Sequence, residues 1–239
     1  MERLNLKKLG VLGGMGPLAT AHFFRRVVEC TEAKTDQEHL DIAILNHAGI
    51  PDRTKTILSG NPEPYLSLIT ADAKELERLG AAHIAIPCNT SHYFYKEIQA
   101  SVRVPVINMV RESLEYAAHR RKAKKIGLLA TDGTIKSEIY HRPAAEMGLT
   151  AISPGPEGQE KVMRIIYEQV KGGQPGGREE LLEVIGELKE KGAEVVILGC
   201  TELSCLNYDL PENVVDALEV LVKRSIELSG GKYRGTLKS

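Results

Sequence analysis

Residues 75–88 read Glu75-Leu-Glu-Arg-Leu-Gly-Ala-Ala-His-Ile-Ala-Ile-Pro-Cys88, and residues 187–200 read Glu187-Leu-Lys-Glu-Lys-Gly-Ala-Glu-Val-Val-Ile-Leu-Gly-Cys200. In both stretches the end of a helical pattern, a Gly-Ala pair and an apolar strand lead to a cysteine, at an offset of 112 residues. A second pairing, at an offset of 117 residues, aligns residues 7–12 with residues 124–129. The chain is therefore predicted to contain two similar units that begin and end alike.

The rest of the chain extends this alternation of strands and helices. Amphipathic helical patterns lie between the apolar runs, and such alternation is typical of parallel α/β architecture. The predicted fold is two similar parallel-sheet α/β domains related by pseudo-twofold symmetry, with the site in the cleft between them. We expect residues 1–103 plus 211–239 to form the first domain and residues 104–210 the second. The clearest predicted strands are residues 9–12, 42–45, 84–86, 104–107, 126–129 and 195–198.

The repeat places two cysteines where ligands bind in open parallel sheets, beyond the carboxyl ends of the strands. Inverting a stereocentre by proton transfer needs a base on one face of the carbon and an acid on the other. Thiols suit both tasks, because their ordinary pKa of about 8.5 lies close to neutral. A single buried cysteine is usually a small core residue, but equivalent positions of Cys88 and Cys200 favour a catalytic pair. Cys30 and Cys205 have no such counterpart and are interpreted as structural.

Polar residues follow both cysteines, as Asn89-Thr90 and Thr201-Glu202. Helices are expected to start at these positions, so that free backbone N–H groups and hydroxyls point into the cleft. Such groups would favour both a thiolate and a substrate carboxylate.

Three blocks carry a resemblance to a known family: residues 12–20 (Leu-Gly-Gly-Met-Gly-Pro-Leu-Ala-Thr), residues 87–90 (Pro-Cys-Asn-Thr) and residues 199–202 (Gly-Cys-Thr-Glu). Further similarity at residues 36–39, 50–54 and 128–134 extends it over nearly the whole chain. The sequence resembles the aspartate/glutamate racemase family, specifically its aspartate racemase branch. The resemblance implies an isomerase that racemises an acidic amino acid without pyridoxal phosphate, metal or any other cofactor.

The resemblance also implies a set of substrate-binding residues. The family has an arginine in a Pro-Asp-Arg block, which Arg53 matches, and a lysine late in the second domain. For that lysine we choose Lys171, which follows a helical pattern and precedes glycine, with Lys161 as the alternative. A guanidinium and an ammonium would together select a distal carboxylate. The full implied substrate-binding set is Asp52, Arg53, Thr54, Asn89, Thr90, Ser91, Thr131, Lys171, Thr201 and Glu202. Aspartate and glutamate both stay open as substrates.

Charge and composition restrict the partners. The 239 residues carry 31 basic and 32 acidic side chains, so no overall field attracts nucleic acid or anionic lipid. No apolar stretch reaches the roughly 18 residues of a membrane span, and four scattered cysteines are typical of a reducing cytoplasm. We expect a cytoplasmic protein whose partner is a small molecule, with no nucleic-acid or membrane partner, no metal ligands, and a homodimer as one open assembly state.

Two rival interpretations stay open. The Gly14-Met-Gly-Pro-Leu-Ala19 stretch follows a strand and fits a dinucleotide-binding loop, although the second strand ends in Asn46-His47 rather than in a ribose-binding acid. A non-catalytic protein that binds an acidic amino acid would keep Arg53 but would not require two thiols. Related activities such as glutamate or hydantoin racemisation, or decarboxylation, are further alternatives, and a decarboxylase needs only one cleft cysteine.

Overall fold

The computed structural model describes residues 6–174, 177–206 and 208–235, and it contains two parallel sheets. The first sheet has the strand order β2-β1-β3 and consists of β1 (Leu9–Gly13), β2 (Ile42–Asn46) and β3 (His83–Ala85). Of the predicted strand at residues 104–107, only Val106 pairs, through an isolated parallel bridge to Ile84. Pro105 lies directly before it and has no N–H with which to extend a ladder.

The second sheet has the strand order β5-β4-β6-β7 and repeats the first around its central strand. It consists of β4 (Lys125–Leu129), β5 (Thr150–Ile152), β6 (Val195–Leu198) and β7 (Val214–Asp216). All strand pairs in both sheets are parallel. The predicted fold class, two parallel-sheet α/β units, is confirmed, while β5 and β7 were not among the predicted strands.

Helices connect the strands, and polar N-caps fix several of their starts. Asp52, Asn108 and Asp216 each accept a hydrogen bond from a backbone N–H of the helix that they precede. One-turn 3-10 segments lie at Asp36–Glu38 and Thr90–Phe94, and a π-helical segment lies at Ile165–Val170. The helices are α1 (Pro17–Cys30), α2 (Arg53–Ser59), α3 (Glu63–Arg78), α4 (Tyr95–Ser101), α5 (Met109–Arg120), α6 (Asp132–Lys136), α7 (His141–Glu146), α8 (Pro156–Arg164), α9 (Arg178–Glu190), α10 (Thr201–Ser204) and α11 (Ala217–Leu228).

The largest apolar cluster joins the two halves. It contains residues of β1 and β4 together with the buried faces of α1, α5 and α11, and α11 packs against both α1 and α5. Two smaller clusters lie under α3 and under α8 and α9. The division into residues 1–103 plus 211–239 and residues 104–210 stays a prediction, since β7 pairs within the second sheet and α11 contacts elements on both sides. None of the helices in the described ranges combines the length and the apolar character that a membrane span needs.

Candidate active site

A small, narrow cavity lies at the carboxyl ends of both sheets. Cys88 follows β3 and Cys200 follows β6, and each cysteine is only 5% exposed. Both line this one cavity, so the chain repeat becomes a pair of thiols around a single space. The lining residues are Met15, Asp52, Arg53, Thr54, Cys88, Asn89, Thr90, Thr131, Tyr167, Lys171, Cys200, Thr201 and Glu202.

Hydrogen bonds join the two cysteine-bearing turns directly. Thr201 Oγ1 donates to the backbone carbonyl of Pro87 at 3.1 Å, and thereby connects the residue after one cysteine to the residue before the other. Thr90 Oγ1 lies 3.1 Å from Thr131 Oγ1 and 3.0 Å from Thr134 Oγ1. These buried contacts hold the first turn against the start of α6, so both walls of the cavity have a fixed separation.

Cys200 has a carboxylate as its immediate neighbour. Its Sγ donates to Glu202 Oε2 at 3.1 Å, and both side chains are buried. Burial first, and then the charge and the hydrogen bond of Glu202, raise the pKa of Cys200 well above its ordinary value. Cys200 is therefore a protonated thiol at neutral pH, with a carboxylate in contact that stabilises this form.

Arg53 supplies a buried positive charge on the other side of the cavity. It is 8% exposed, its Nη1 donates to the carbonyl of Pro51 at 3.2 Å, and its Nε has no partner. Burial lowers the pKa of Arg53, but the neighbouring Cys88, Asp52, Tyr65 and Glu202 more than offset this effect, and the pKa is raised. In the described part of the chain Arg53 forms no ion pair. A buried guanidinium without a carboxylate partner is costly, which indicates that an anion is its ligand.

Two other cavity atoms also lack hydrogen-bond partners. Asn89 Oδ1 accepts from the buried Tyr140 hydroxyl at 2.5 Å, so the amide orientation is fixed and Nδ2 remains as an unpaired donor. Glu202 Oε1 is likewise without a hydrogen bond. The cavity therefore offers two donors and one anionic acceptor, which are the groups that a carboxylate and an ammonium require.

Lys171 reaches the cavity from the π-helical segment. Its backbone N–H bonds to the carbonyl of Ile166, five residues earlier, and this wider turn brings Tyr167 and Lys171 onto one face. Lys171 Nζ lies 3.6 Å from Glu202 Oε1 and 4.3 Å from the centre of the Tyr167 ring. Burial alone would lower the pKa of Lys171, but Glu202, Tyr167 and Cys200 together more than offset it, and the pKa is raised. The Tyr167 hydroxyl donates to Asp52 Oδ2 at 3.3 Å and closes this wall.

The structure brings all but one of the expected residues to the cavity. Ser91 is the exception: it lies behind the wall, where its Oγ contacts Met15 Sδ at 3.4 Å. The alternative lysine, Lys161, lies outside the cavity and pairs with Glu157 and Glu183. Cys30 lies in the largest apolar cluster, and Cys205 Sγ contacts the carbonyl of Thr201.

Met15 and Tyr167 line the cavity and were missed from the sequence. The signal for Tyr167 was present, since it stands four residues before Lys171 and so shares a helical face with it. Met15 lies between two glycines, and at each of them another part of the chain approaches the backbone closely. Gly14 has φ +93°, and a Cβ there would overlap the backbone of His47, while a Cβ on Gly16 would lie 3.3 Å from Glu202 Oε1. The glycine-rich stretch thus lets the β1 loop approach Glu202 closely.

Within the described ranges, no three His, Cys, Asp or Glu side chains are grouped as metal ligands would be.

Comparison with known proteins points to one family. The sequence pattern of the Asp/Glu/hydantoin racemases matches residues 12–224. The broad specificity amino-acid racemase RacX of Bacillus subtilis is 26% identical over 223 residues, which are 91% of this chain and 96% of RacX. The Picrophilus torridus aspartate racemase superposes with a TM-score of 0.82 at 28% identity, covering 95% of this chain and 96% of that one. An aspartate racemase homologue from Pyrococcus horikoshii gives 0.78 at 28% identity, with 94% and 100% covered.

Proposed function

Because this chain belongs to the Asp/Glu/hydantoin racemase family, whose members are isomerases, we propose that it interconverts the enantiomers of an acidic amino acid, with Cys88 and Cys200 as the two proton carriers. The observation that carries the proposal is the single cavity lined by both cysteines and by Arg53, whose Nε has no hydrogen-bond partner. We expect the reaction to need neither pyridoxal phosphate nor a metal.

The acid–base step uses the two thiols in turn. In one direction Cys88, as the thiolate, removes the α-proton, and Cys200, as the thiol, delivers its proton to the opposite face. In the other direction Cys200 is the thiolate and Cys88 the thiol. Glu202 Oε2 lies 3.1 Å from Cys200 Sγ and favours the protonated form of Cys200, the form in which it acts as the acid. General acid–base assistance of this kind contributes about 10²- to 10⁴-fold, and fixed orientation of the groups contributes further.

Substrate binding is assigned to the charged and polar walls. Arg53 and Lys171 bind the distal carboxylate, which gains charge-assisted hydrogen bonds. The free donor Asn89 Nδ2 and the turn hydroxyls bind the α-carboxylate, and Glu202 Oε1 accepts from the ammonium. When the distal carboxylate of the substrate pairs with Lys171, contacts to the substrate replace the Lys171–Glu202 contact at 3.6 Å. The set Asp52, Thr54, Thr131 and Thr201 completes the cavity wall.

Aspartate is the proposed preferred substrate. The proposal rests on the structures compared above, which are an aspartate racemase and an aspartate racemase homologue. RacX has broad specificity by its name, so a wider substrate range is the competing outcome. The cytoplasmic location and the homodimer stay predictions.

The test is a substrate panel with purified protein and no added cofactor. D- and L-aspartate, glutamate, asparagine and alanine are each incubated in D₂O with and without EDTA, and chiral chromatography and the α-proton NMR signal are followed. We expect racemisation and α-deuteration of aspartate, less with glutamate, little with the neutral amino acids, and no effect of EDTA. Binding of aspartate without α-deuteration would instead identify a non-catalytic binding protein.

A further inference from the structure

Each cysteine-bearing turn is anchored, four residues after the cysteine, to the beginning of a core helix. His92 stands four residues after Cys88, and Ser204 stands four residues after Cys200. Both are buried polar residues that lie outside the lining of the catalytic cavity. His92 and Ser204 occupy equivalent positions in the two repeat units but differ in residue type. An alignment of the two units by residue identity therefore does not identify them as counterparts.

His92 connects Cys88 to helix α5. The backbone N–H of Met109, the first residue of α5, donates to His92 Nε2 at 3.1 Å. The carbonyl of Ile107 lies 3.3 Å from the same Nε2, but the shorter Met109 bond assigns Nε2 as the acceptor, and Nδ1 then carries the hydrogen and donates to the carbonyl of Cys88 at 3.0 Å. Burial lowers the pKa of His92, which keeps the ring neutral and this bonding pattern intact.

Ser204 makes the corresponding connection to helix α11. Its Oγ donates to Asp216 Oδ1 at 2.7 Å, and the same oxygen accepts the backbone N–H of Leu218 in the first turn of α11. α10 separates two cavities, since Thr201 and Glu202 face the catalytic cavity whereas Leu203 and Ser204 line a second one. The Ser204–Asp216 bond thus holds α10, and with it Glu202, from behind.

The two helices that receive these bonds form one frame. α5 and α11 pack against each other in the largest apolar cluster, and Arg224 Nε donates to Glu112 Oε1 at 2.9 Å across the pair. A displacement of about 1 Å at a reacting group can cost about 10²-fold in rate. A shared frame for both thiols would therefore have a large kinetic effect even though its residues do not touch substrate.

We propose that His92 and Ser204 are positioning residues, each of which sets the place of one thiol relative to the common α5–α11 frame. The expected effect on kcat and on α-proton exchange rests on the proposed racemase function. His92 fixes Cys88, Ser204 fixes Cys200, and loss of either one disturbs mainly its own face of the cavity.

The kinetic test compares His92→Leu and Ser204→Ala with matched controls. His83→Leu removes another buried histidine, which bonds Ser229 Oγ at 3.0 Å, and Ser225→Ala removes another buried serine hydroxyl. We expect His92→Leu and Ser204→Ala to lower kcat by about 10- to 100-fold with little change in KM. Exchange of the α-proton without inversion should appear for one enantiomer in the His92 variant and for the opposite enantiomer in the Ser204 variant. Both controls should keep equal exchange of the two enantiomers.

A second measurement is independent of racemisation. The rate of iodoacetamide alkylation, resolved for each cysteine by mass spectrometry, should change mainly at Cys88 in His92→Leu and mainly at Cys200 in Ser204→Ala. His92→Asn keeps a donor near the Cys88 carbonyl and should restore part of both readouts; it decides the matter if the leucine variant does not fold. Changes at both cysteines alike, the same enantiomer bias in both variants, or the same bias in the controls would overturn the proposal. Wild-type protein that alkylates as expected but never exchanges an α-proton would instead reject the proposed function.

Discussion

Replacing Glu202 by Gln should lower the pKa of Cys200 while leaving its position almost unchanged. The carboxylate oxygen lies 3.1 Å from the Cys200 sulfur. At an effective dielectric constant of about 20, two unit charges at that distance interact by about 5 kcal/mol. Lys171 lies 3.6 Å from the other carboxylate oxygen and offsets part of that field. We therefore expect the amide to lower the pKa of Cys200.

The assay is the pH dependence of Cys200 alkylation by iodoacetamide, with the modified cysteine identified by mass spectrometry. Wild-type Cys200 should react slowly up to pH 9, because burial and Glu202 both raise its pKa, and the Glu202→Gln variant should react at a distinctly lower pH. Glu180→Gln is the matched control, since Glu180 is also partly buried and paired, with Arg164, but lies outside the cavity. An unchanged or higher alkylation midpoint in Glu202→Gln, with the fold intact by circular dichroism, would refute the assignment of Glu202 as the group that keeps Cys200 protonated.

Three further outcomes follow from the cavity and its supports. Arg53→Gln should lower kcat/KM for aspartate by about 10²-fold or more, because charge-assisted hydrogen bonds to the substrate are lost. It should not lower the free energy of unfolding of the ligand-free protein. An equal loss of kcat/KM for alanine, or strong destabilisation in urea, would assign Arg53 a structural role. Tyr140→Phe frees the Asn89 amide to rotate, so KM should rise more than kcat falls in steady-state assays; unchanged kinetics would show that the bond is dispensable. Burial raises the pKa of Asp216 to about 6. Between about pH 4 and pH 6 the folded chain therefore holds a proton on Asp216 that the unfolded chain releases. The free energy of unfolding should fall as the pH rises through that window. Asp216→Asn should remove this slope in urea titrations, and an identical slope in the variant would contradict the shift.

The repeat predicted the fold because the residues that repeat include apolar strand residues, which are expected to be buried. The apolar runs before Cys88 and Cys200 are continuous and end at glycine or proline turns, so the central strands were identifiable. The edge strands β5 and β7 have three residues each, of which none is buried in β5 and two are in β7, and such short runs carry little periodic signal. The bridge at Val106 was overestimated as a strand because Val104 and Ile107 are apolar, whereas Pro105 prevents a longer ladder.

The candidate site was predictable where it lies next to the cysteines and less so elsewhere. Residues such as Thr201 and Glu202 follow their strand immediately, so their placement follows from the strand. Met15 reaches the cavity through a glycine-bounded loop whose geometry has no distinct pattern in one sequence, whereas Tyr167 is indicated by its position four residues before Lys171. The partners of His92 and Ser204 lie 17 and 12 residues away along the chain, and such contacts are visible only in three dimensions.

The central claim is that Cys88 and Cys200 serve opposite faces of one substrate carbon. The most direct measurement is the α-proton NMR signal of D- and L-aspartate in D₂O, recorded with wild-type protein, Cys88→Ala and Cys200→Ala at equal concentrations of folded protein. We predict that wild type deuterates and inverts both enantiomers, and that each variant loses racemisation by at least about 10²-fold. Any residual deuteration without inversion should then be confined to one enantiomer in Cys88→Ala and to the other in Cys200→Ala. Racemisation near the wild-type rate in either variant, or residual exchange of the same enantiomer in both, would contradict a two-thiol mechanism.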